Sequence, residues 1–267
     1  MIKLLSFISI FLYSSLFYKP SPTTMVQIET TFGNITIILY NDTKLHKENF
    51  IKLVREGYYD GLLFHRVIPD FMIQTGDSDS KTAVPGQALG SGGPAYTIPA
   101  EFRKEYYHKK GALAAARQGN DVNPEMRSSG TQFYIVHGKK YSDAELKTTE
   151  DRINSNIKQS LFSKLIKEVA DSSRLSGTPL QESEIQERAS MKMFDYLTTH
   201  EDFKFSDEQI NSYMNAGGTP RLDGTYTVFG EVIEGLETVD AIASVQTNQA
   251  DKPLNDVKII TMKLVSR

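Results

Sequence analysis

Strand patterns on both sides of a long helical segment limit the folds open to this 267-residue chain. Residues 26–137 and 219–267 contain short runs of β-branched and aromatic residues bounded by glycine and polar residues, which is typical of strands. About eighty residues between them carry apolar side chains at helical spacing. We therefore expect a mainly β body interrupted by an α-helical insertion at residues 138–218.

Local signals predict where individual elements begin and end. Strand patterns at 26–29 and 35–40 surround Gly33-Asn34, which favours a hairpin. A helix is expected from Thr43 to Gly57, since glycine commonly ends helices. Further strands are predicted at 111–116, 132–136, 226–233 and 257–265, with a short helix at 236–242 and a long loop at 78–101.

The insertion should contain three helices. Ser142 to Glu145 has the pattern of a capping box, which opens a helix. A four-residue spacing then runs through Ile153, Ile157, Leu161, Leu165 and Val169, as on one face of an amphipathic helix. A second helix is predicted at 182–198, and a third begins at Ser206.

Composition restricts the chemistry. With 39% hydrophobic residues the chain can bury one sizeable core, and a net charge of −3 argues against nucleic acid as a partner. There is no cysteine, which excludes disulfides, thiolate nucleophiles and cysteine-based zinc sites. None of the five histidines lies within five residues of another, so we expect neither a metal nor a cofactor.

The N-terminus resembles an export signal. Lys3 precedes an apolar run at 4–18 that is shorter than the roughly 20 residues a membrane-spanning helix needs. We predict that residues 1–24 are an export signal or anchor, that the folded domain is 25–267, and that the protein is exported, periplasmic or secreted. Two alternatives remain: the run at 4–18 stays as a membrane anchor, or the chain starts at Met25.

The run from Phe64 to Asp77, FHRVIPDFMIQTGD, holds the densest cluster of unusual residues. A bend at Pro69 would let Arg66 approach an apolar pocket, and apolar pockets with a few polar groups are the usual ligand sites. On the residues alone, a core strand with one arginine at its rim explains the run equally well.

This run resembles the signature of the cyclophilin family, and further stretches match that family in the same order. Asn49-Phe50 with residues 57–61 resembles the lead-in to the signature. Residues 129–135 resemble the family's Gly-Ser-Gln-Phe-Phe-Ile strand, and residues 222–230 resemble its Leu-Asp-Gly to Val-Phe-Gly segment. The resemblance covers residues 26–137 and 219–267.

The resemblance implies a closed eight-stranded antiparallel barrel capped by two helices, with a groove on its outer face. The implied activity is peptidyl-prolyl cis/trans isomerisation that assists the folding of exported proteins. The implied partners are proline-containing peptides and unfolded protein clients, with no nucleic acid and with the membrane only through an N-terminal anchor. The alternative is a proline-peptide-binding chaperone module with weak or no isomerase activity.

The resemblance also assigns roles to individual residues. Arg66 takes the catalytic position, while Gln74 and Gln132 would hold the substrate backbone. Ala116 and Arg117 stand where the family has Ala-Asn, a stretch that binds substrate through its main chain. The proline pocket would be lined by Phe71, Met72, Tyr134 and Leu222, with Tyr226 where many members have histidine.

His65 and Arg221 lie beside the predicted site residues in the sequence. His65 could act as a general base, but neighbours on a strand point to opposite faces, so we expect it to pack inward, away from Arg66. Arg221 occupies the position at which cyclosporin-sensitive members carry a tryptophan, and this chain has no tryptophan.

Overall fold

The computed structural model describes residues 23–84, 86–177 and 179–266. The chain opens with the predicted hairpin of β1 (Thr24–Thr30) and β2 (Gly33–Leu39), which pair without interruption from Thr24 opposite Leu39 to Thr30 opposite Gly33. Helix α1 (Lys44–Arg55) follows, and Gly57 after it has a φ of 65°, the left-handed conformation that glycine adopts easily. The helix therefore ends where the sequence predicts.

Most of the remaining elements also lie close to their predicted positions. The long helix of the insertion begins at its predicted capping box, in which Ser142 and Glu145 bond to each other's backbone. The predicted loop at 78–101 contains a 3-10 turn at Ser78–Thr82 and ends in a two-residue strand. The strands are β3 (Arg66–Ile68), β4 (Met72–Thr75), β5 (Thr97–Ile98), β6 (Ala112–Ala115), β7 (Ser128–Ser129), β8 (Phe133–Val136), β9 (Val228–Glu234) and β10 (Ile259–Val265); the helices are α2 (Asp143–Leu175), α3 (Glu182–Thr199), α4 (Asp207–Asn215) and α5 (Leu236–Ala243).

Eight strands form one curled antiparallel sheet in the order β10-β1-β2-β9-β6-β8-β4-β3, and β5 pairs with β7 separately. The prediction of a closed barrel is wrong, because within the described residues the edge strands β10 and β3 do not pair as a ladder. The chain before β3 meets the start of β10 only through an isolated bridge between Leu63 and Lys258 and a few backbone bonds. β3 is three residues long, too short to continue that ladder, so the sheet remains an open half-barrel.

The main core fills the inside of the curl. Helix α1 contributes Phe50, Leu53 and Val54, and α5 contributes Val239 and Ile242, so these two helices cover the sheet as predicted. Burying each such side chain stabilises the fold by about 1.5–3 kcal/mol. The strands supply the remaining side chains of this core, among them Val26, Ile28, Ile35, Ile37, Ile73, Leu113, Phe133, Ile135, Phe229 and Ile259.

The two ends of the insertion lie side by side. Lys139 and Gly218 exchange backbone hydrogen bonds of 3.2 and 2.9 Å. A Cβ on Gly138 would lie 2.4 Å from the Gly218 Cα, so this approach requires glycine. The insertion thus leaves and rejoins the sheet at one place, and its helices share a small core of Leu146, Ile153, Phe205 and Tyr213 with Tyr107.

The predicted export signal or anchor lies outside the described residues, apart from Thr23 and Thr24. Within the described part of the chain, the helices are too short or too polar to cross a membrane.

Candidate active site

A tight hairpin carries the residues at the centre of the site. β3 and β4 pair with Arg66 opposite Gln74 and Ile68 opposite Met72. The turn between them includes Asp70, whose φ is 59° and whose N–H donates to His137 Nδ1 at 2.9 Å. The bend predicted at Pro69 is present, and it returns the chain so that the Arg66 and Gln74 side chains stand beside each other.

A second apolar cluster, at the predicted position of the proline pocket, lies next to this pair on the outer face of the sheet. Its floor comprises buried residues of β4, β6, β8 and β9, and it is separate from the main core inside the curl. Phe71, Leu222 and Tyr226 are partly exposed at its rim. The buried members are Met72, Ala112, Ala114, Ala116, Tyr134, Val136 and Val228.

The two glutamines form one hydrogen-bonded unit. Gln74 Nε2 donates to Gln132 Oε1 at 3.1 Å, and Gln132 Nε2 donates to the carbonyls of Gly90 and Gly92. The Gln132 amide is therefore held by the Gly-rich loop. Among the described residues, the Gln74 side-chain oxygen has no donor, which leaves it available to a ligand N–H.

The two positions predicted to bind through the main chain differ. The Ala116 N–H donates to Gln132 at 3.0 Å, and its carbonyl accepts from Ser129 at 2.8 Å, so only a second lone pair of that oxygen remains. In the described part of the chain, the Arg117 backbone N–H and C=O make no hydrogen bond. A peptide backbone has more bonding capacity at Arg117 than at Ala116.

Arg66 is oriented by a carboxylate that the sequence did not reveal. Its Nε lies 3.3 Å from Asp251 Oδ2, and Asp251 is itself held by a bond from the Val67 N–H to its carbonyl. Both side chains are partly exposed, so the pair contributes at most about 1 kcal/mol to stability. Its effect is positional, because it engages Nε and leaves the terminal nitrogens of Arg66 free of partners among the described residues.

A buried polar chain runs beneath the pocket. Tyr134 Oη lies 2.9 Å from His108 Nε2, and His108 Nδ1 lies 2.8 Å from Asp223 Oδ1. Tyr213 on α4 donates its hydroxyl to Asp223 Oδ2 at 2.6 Å. Burial raises the pKa of the Tyr134 and Tyr213 hydroxyls well above 10, so both phenols keep their protons. This series of hydrogen bonds connects the pocket floor to the insertion, and no spacing in the sequence predicts it.

Two arginines cover aromatic rings at the rim. The Arg117 guanidinium carbon lies 4.4 Å from the centre of the Tyr226 ring, and the Arg221 guanidinium carbon lies 4.3 Å from that of Phe71. Arg117 Nε also donates to the Thr225 carbonyl at 2.7 Å. The rim of the pocket is therefore both aromatic and positively charged.

His65 packs inward, as expected, and does not face the pocket. It is buried, and its two ring nitrogens have no hydrogen-bond partner in the described part of the chain. Burial lowers the pKa of His65 to about 4, against the opposing charge of Asp77. No group of three or more metal-binding side chains occurs within the described ranges.

The ten predicted site residues thus lie on one outer face, connected by contacts from Arg66 through Gln74 and Gln132 to the pocket. Comparison with known proteins shows the family of the chain. The family model described as "Cyclophilin type peptidyl-prolyl cis-trans isomerase/CLD" matches residues 25–194 and 197–264. The chain therefore belongs to the family of cyclophilin-type peptidyl-prolyl cis-trans isomerases, which are enzymes of the isomerase class.

Individual relatives extend this result. A putative peptidyl-prolyl cis-trans isomerase of Staphylococcus saprophyticus is 31% identical over 242 residues, which are 89% of this chain and 90% of the relative. One from Staphylococcus aureus USA300 is 31% identical over 235 residues, 88% of each. A putative bifunctional phosphatase/peptidyl-prolyl cis-trans isomerase of Streptococcus pyogenes is 30% identical, and this chain spans 38% of its length.

The fold is also found in a solved structure. A cyclophilin-type peptidyl-prolyl cis-trans isomerase of Cryptosporidium parvum superposes with a TM-score of 0.54 over 92% of this chain and 99% of the other, at 19% identity. At that identity the likeness concerns the fold alone.

Proposed function

We propose that this chain catalyses rotation about X-Pro peptide bonds, with Arg66 as the catalytic residue. The observation that carries the proposal is the position of Arg66. It stands beside Gln74 across β3 and β4, next to the apolar cluster of Phe71, Met72, Tyr134 and Leu222. A crystal structure of the Cryptosporidium cyclophilin was obtained in the presence of the dipeptide Ala-Pro, which is a ligand of the kind proposed here.

The physical chemistry of the reaction suits these residues. Resonance gives the peptide bond a rotational barrier of about 18–20 kcal/mol, and the twisted state places a lone pair on the proline nitrogen. Arginine is always charged and donates from a rigid plane, so Arg66 would bond that nitrogen only as the peptide bond twists. Such an interaction stabilises the transition state more than the bound substrate, which is what accelerates the reaction.

The other site residues hold the substrate during rotation. The pocket of Phe71, Met72, Tyr134 and Leu222 would immobilise the ring. Gln74 offers its free amide oxygen, and Arg117 offers its unbonded backbone groups. The buried chain from Tyr134 to Asp223 fixes the pocket floor, because each of its polar atoms already has a partner.

We further propose that the protein is exported and assists the folding of other exported proteins. The support is the charge at Lys3 followed by the apolar run at 4–18, which is the pattern of an export signal. Apolar side chains on α3 and at the end of α2 are unusually exposed, with Leu175 at 90% and Phe194 at 67%. That surface favours the second candidate function, the holding of unfolded clients, as an addition to isomerisation.

Replacement of Arg66 by alanine tests the proposal. The Arg66→Ala variant should lose at least about tenfold in kcat/KM on a short Ala-Pro peptide, equal to at least about 1.4 kcal/mol of transition-state stabilisation. Its unfolding free energy should change by less than about 1 kcal/mol, since the arginine is partly exposed. Arg55→Ala, an exposed arginine at the end of α1, is the matched control. An Arg66→Ala enzyme with the wild-type rate would show that the assignment is wrong.

A further inference from the structure

A cleft of about 670 Å³ lies between α2 of the insertion and the rim of the proline pocket. On one side it is lined by Arg117, Arg221, Leu222 and Tyr226, which also belong to the candidate active site. The cleft is therefore continuous with the pocket, and a peptide seated in the pocket can extend into it.

Helix α2 supplies the opposite wall. Its lining residues are spaced so that they occupy one stripe of the helix: Arg152, Ile153, Asn156, Ile157, Ser160, Leu161 and Lys164. At 1.5 Å per residue the stripe is about 18 Å long, the length of about five extended residues. The wall is long enough for several residues that flank a proline.

The charges in this cleft are all of one sign. Its lining includes four cations, Arg117, Arg152, Lys164 and Arg221, and no carboxylate. In the part of the chain that the structure describes, the three arginines form no ion pair with a carboxylate. Among the described residues, Lys164 forms an ion pair only with Glu168 of its own helix, at 3.8 Å and exposed to solvent.

Two carboxylates, Glu125 and Asp223, each lie in sequence directly between two lining residues, and both bond elsewhere. Glu125 pairs with Arg127, 3.9 Å away. Asp223 is buried and bonds to His108 and Tyr213. The whole chain carries a net charge of −3, so a cleft whose lining holds four cations and no carboxylate is a local departure from that charge. Clefts lined by one sign of charge concentrate the field and attract the opposite charge.

Part of this surface is already ordered. Arg117 and Arg221 are held against Tyr226 and Phe71. Arg117 also donates to Asn120 at 2.8 Å, and Asn120 donates across the cleft to Ser160 of α2 at 3.2 Å. Groups that are fixed before binding lose less conformational entropy when a ligand arrives.

We propose that this basic cleft is an extended substrate subsite that selects proline-containing segments flanked by Asp or Glu side chains. The proposal rests on the proposed isomerase function, because it assumes that a proline occupies the neighbouring pocket. The ligands are the carboxylates of a client polypeptide, because the cleft shares Leu222 and Tyr226 with the proline pocket.

The test measures binding and catalysis on matched peptides. Labelled peptides with an Ala-Pro core carry a run of glutamates or of glutamines, placed before or after the core. Dissociation constants are measured by fluorescence anisotropy, and kcat/KM is measured separately. The cleft variant is Arg152→Gln with Lys164→Gln. The control is Arg188→Gln with Lys192→Gln, which removes the same charges from exposed positions of α3 outside the cleft.

The glutamate run should matter on only one side of the Ala-Pro core, the side that faces the cleft. For that placement we expect the wild type to bind the glutamate peptide about tenfold more tightly than the glutamine peptide at low salt. The preference should fall to about twofold in the cleft variant, persist in the α3 control and fade at about 1 M salt. Equal affinity for glutamate and glutamine peptides, or a preference that survives in the cleft variant, would overturn the proposal. So would a DNA oligonucleotide of equal charge that competes as well as the glutamate peptide, because the cleft would then be a general polyanion site.

The two readouts separate this proposal from the isomerase function. If the protein binds glutamate peptides through Arg152 and Lys164 but isomerises none of them, the proposed isomerase function is wrong and the acidic subsite is supported. If it isomerises the glutamate and glutamine peptides equally well and binds them equally, the isomerase function is supported and the acidic subsite is wrong.

Discussion

At the scale of single residues, Arg221 distinguishes this site from that of the cyclosporin-sensitive cyclophilins, which carry tryptophan at the matching position. The arginine lies flat on Phe71 at the rim of the pocket, with its guanidinium carbon 4.3 Å from the ring centre. It offers no indole ring to a bound drug, and its charge must be partly desolvated when an apolar ring covers it.

We therefore expect cyclosporin to inhibit this enzyme only weakly. Loss of the contact between the tryptophan indole and the bound drug costs about 1–3 kcal/mol, or roughly 5- to 150-fold in affinity. The measurement is the drug's inhibition constant in the peptide isomerisation assay, for the wild type and for Arg221→Trp. The tryptophan variant should gain sensitivity by that factor, whereas Arg221→Gln should not. Low nanomolar inhibition of the wild type would contradict the expectation.

At the scale of secondary-structure elements, the insertion leaves and rejoins the sheet at one place, and two side-chain hydrogen bonds connect its helices to residues beside the site. Its ends meet at Lys139 and Gly218, and closing a long loop at such a point costs little entropy. It reaches the site through Tyr213, which donates to Asp223, and through Ser160, which accepts from Asn120.

Replacing residues 142–215 by a short Gly/Ser linker should leave a folded sheet with residual activity on peptides, while action on unfolded protein clients falls. The sheet keeps its own core, but Asp223 loses one hydrogen-bond partner, worth about 1 kcal/mol. The checks are thermal unfolding, peptide turnover and refolding of a proline-limited client.

Two smaller changes show which part of the insertion causes each effect. Tyr213→Phe removes only the bond to Asp223 and should reproduce the small change in peptide turnover. Replacing α3 alone should affect clients and leave peptide turnover unchanged, because α3 takes no part in the bonds to Asp223 or Asn120. An unfolded or inactive product of the full replacement would show that the insertion completes the core of the sheet.

At the scale of the whole molecule, buried histidines make stability depend on pH. Burial lowers the pKa of His65 from 6.5 to about 4 and also lowers the pKa of His46. Between pH 6.5 and pH 4 the unfolded chain therefore binds more protons at His65 than the folded chain does. The stabilisation is complete above pH 6.5 and is lost progressively as the pH falls.

For His65 the loss between pH 7 and pH 5 should amount to about 2 kcal/mol in the free energy of unfolding. Urea unfolding of the wild type and of His65→Gln at about pH 7 and pH 5 measures it. The variant should lose less stability than the wild type between the two pH values, whatever its stability at pH 7. An equal loss in both proteins would show that His65 is not the responsible group.

The sequence by itself determined the local elements and the position of the signature. The capping box of Ser142 and Glu145, the hairpin around Gly33 and the helix end at Gly57 all depend on residues within a few positions of one another. Short-range hydrogen bonds and backbone preferences act over such distances, so a linear pattern is enough to predict them. The resemblance then placed ten site residues, which the fold brings to one face.

Only the tertiary structure decided what long-range packing controls. The sheet is open because β3 is short and forms no ladder with β10, and only Leu63, before β3, bridges to Lys258, just before β10, which a strand pattern cannot show. Asp251 lies 185 positions from Arg66, and Asp223 lies 115 positions from His108, so no spacing announces these pairs. The basic cleft likewise exists only where α2 packs beside Leu222 and Arg117. Contacts between distant segments depend on how the elements pack against one another, whereas the elements themselves depend on neighbouring residues.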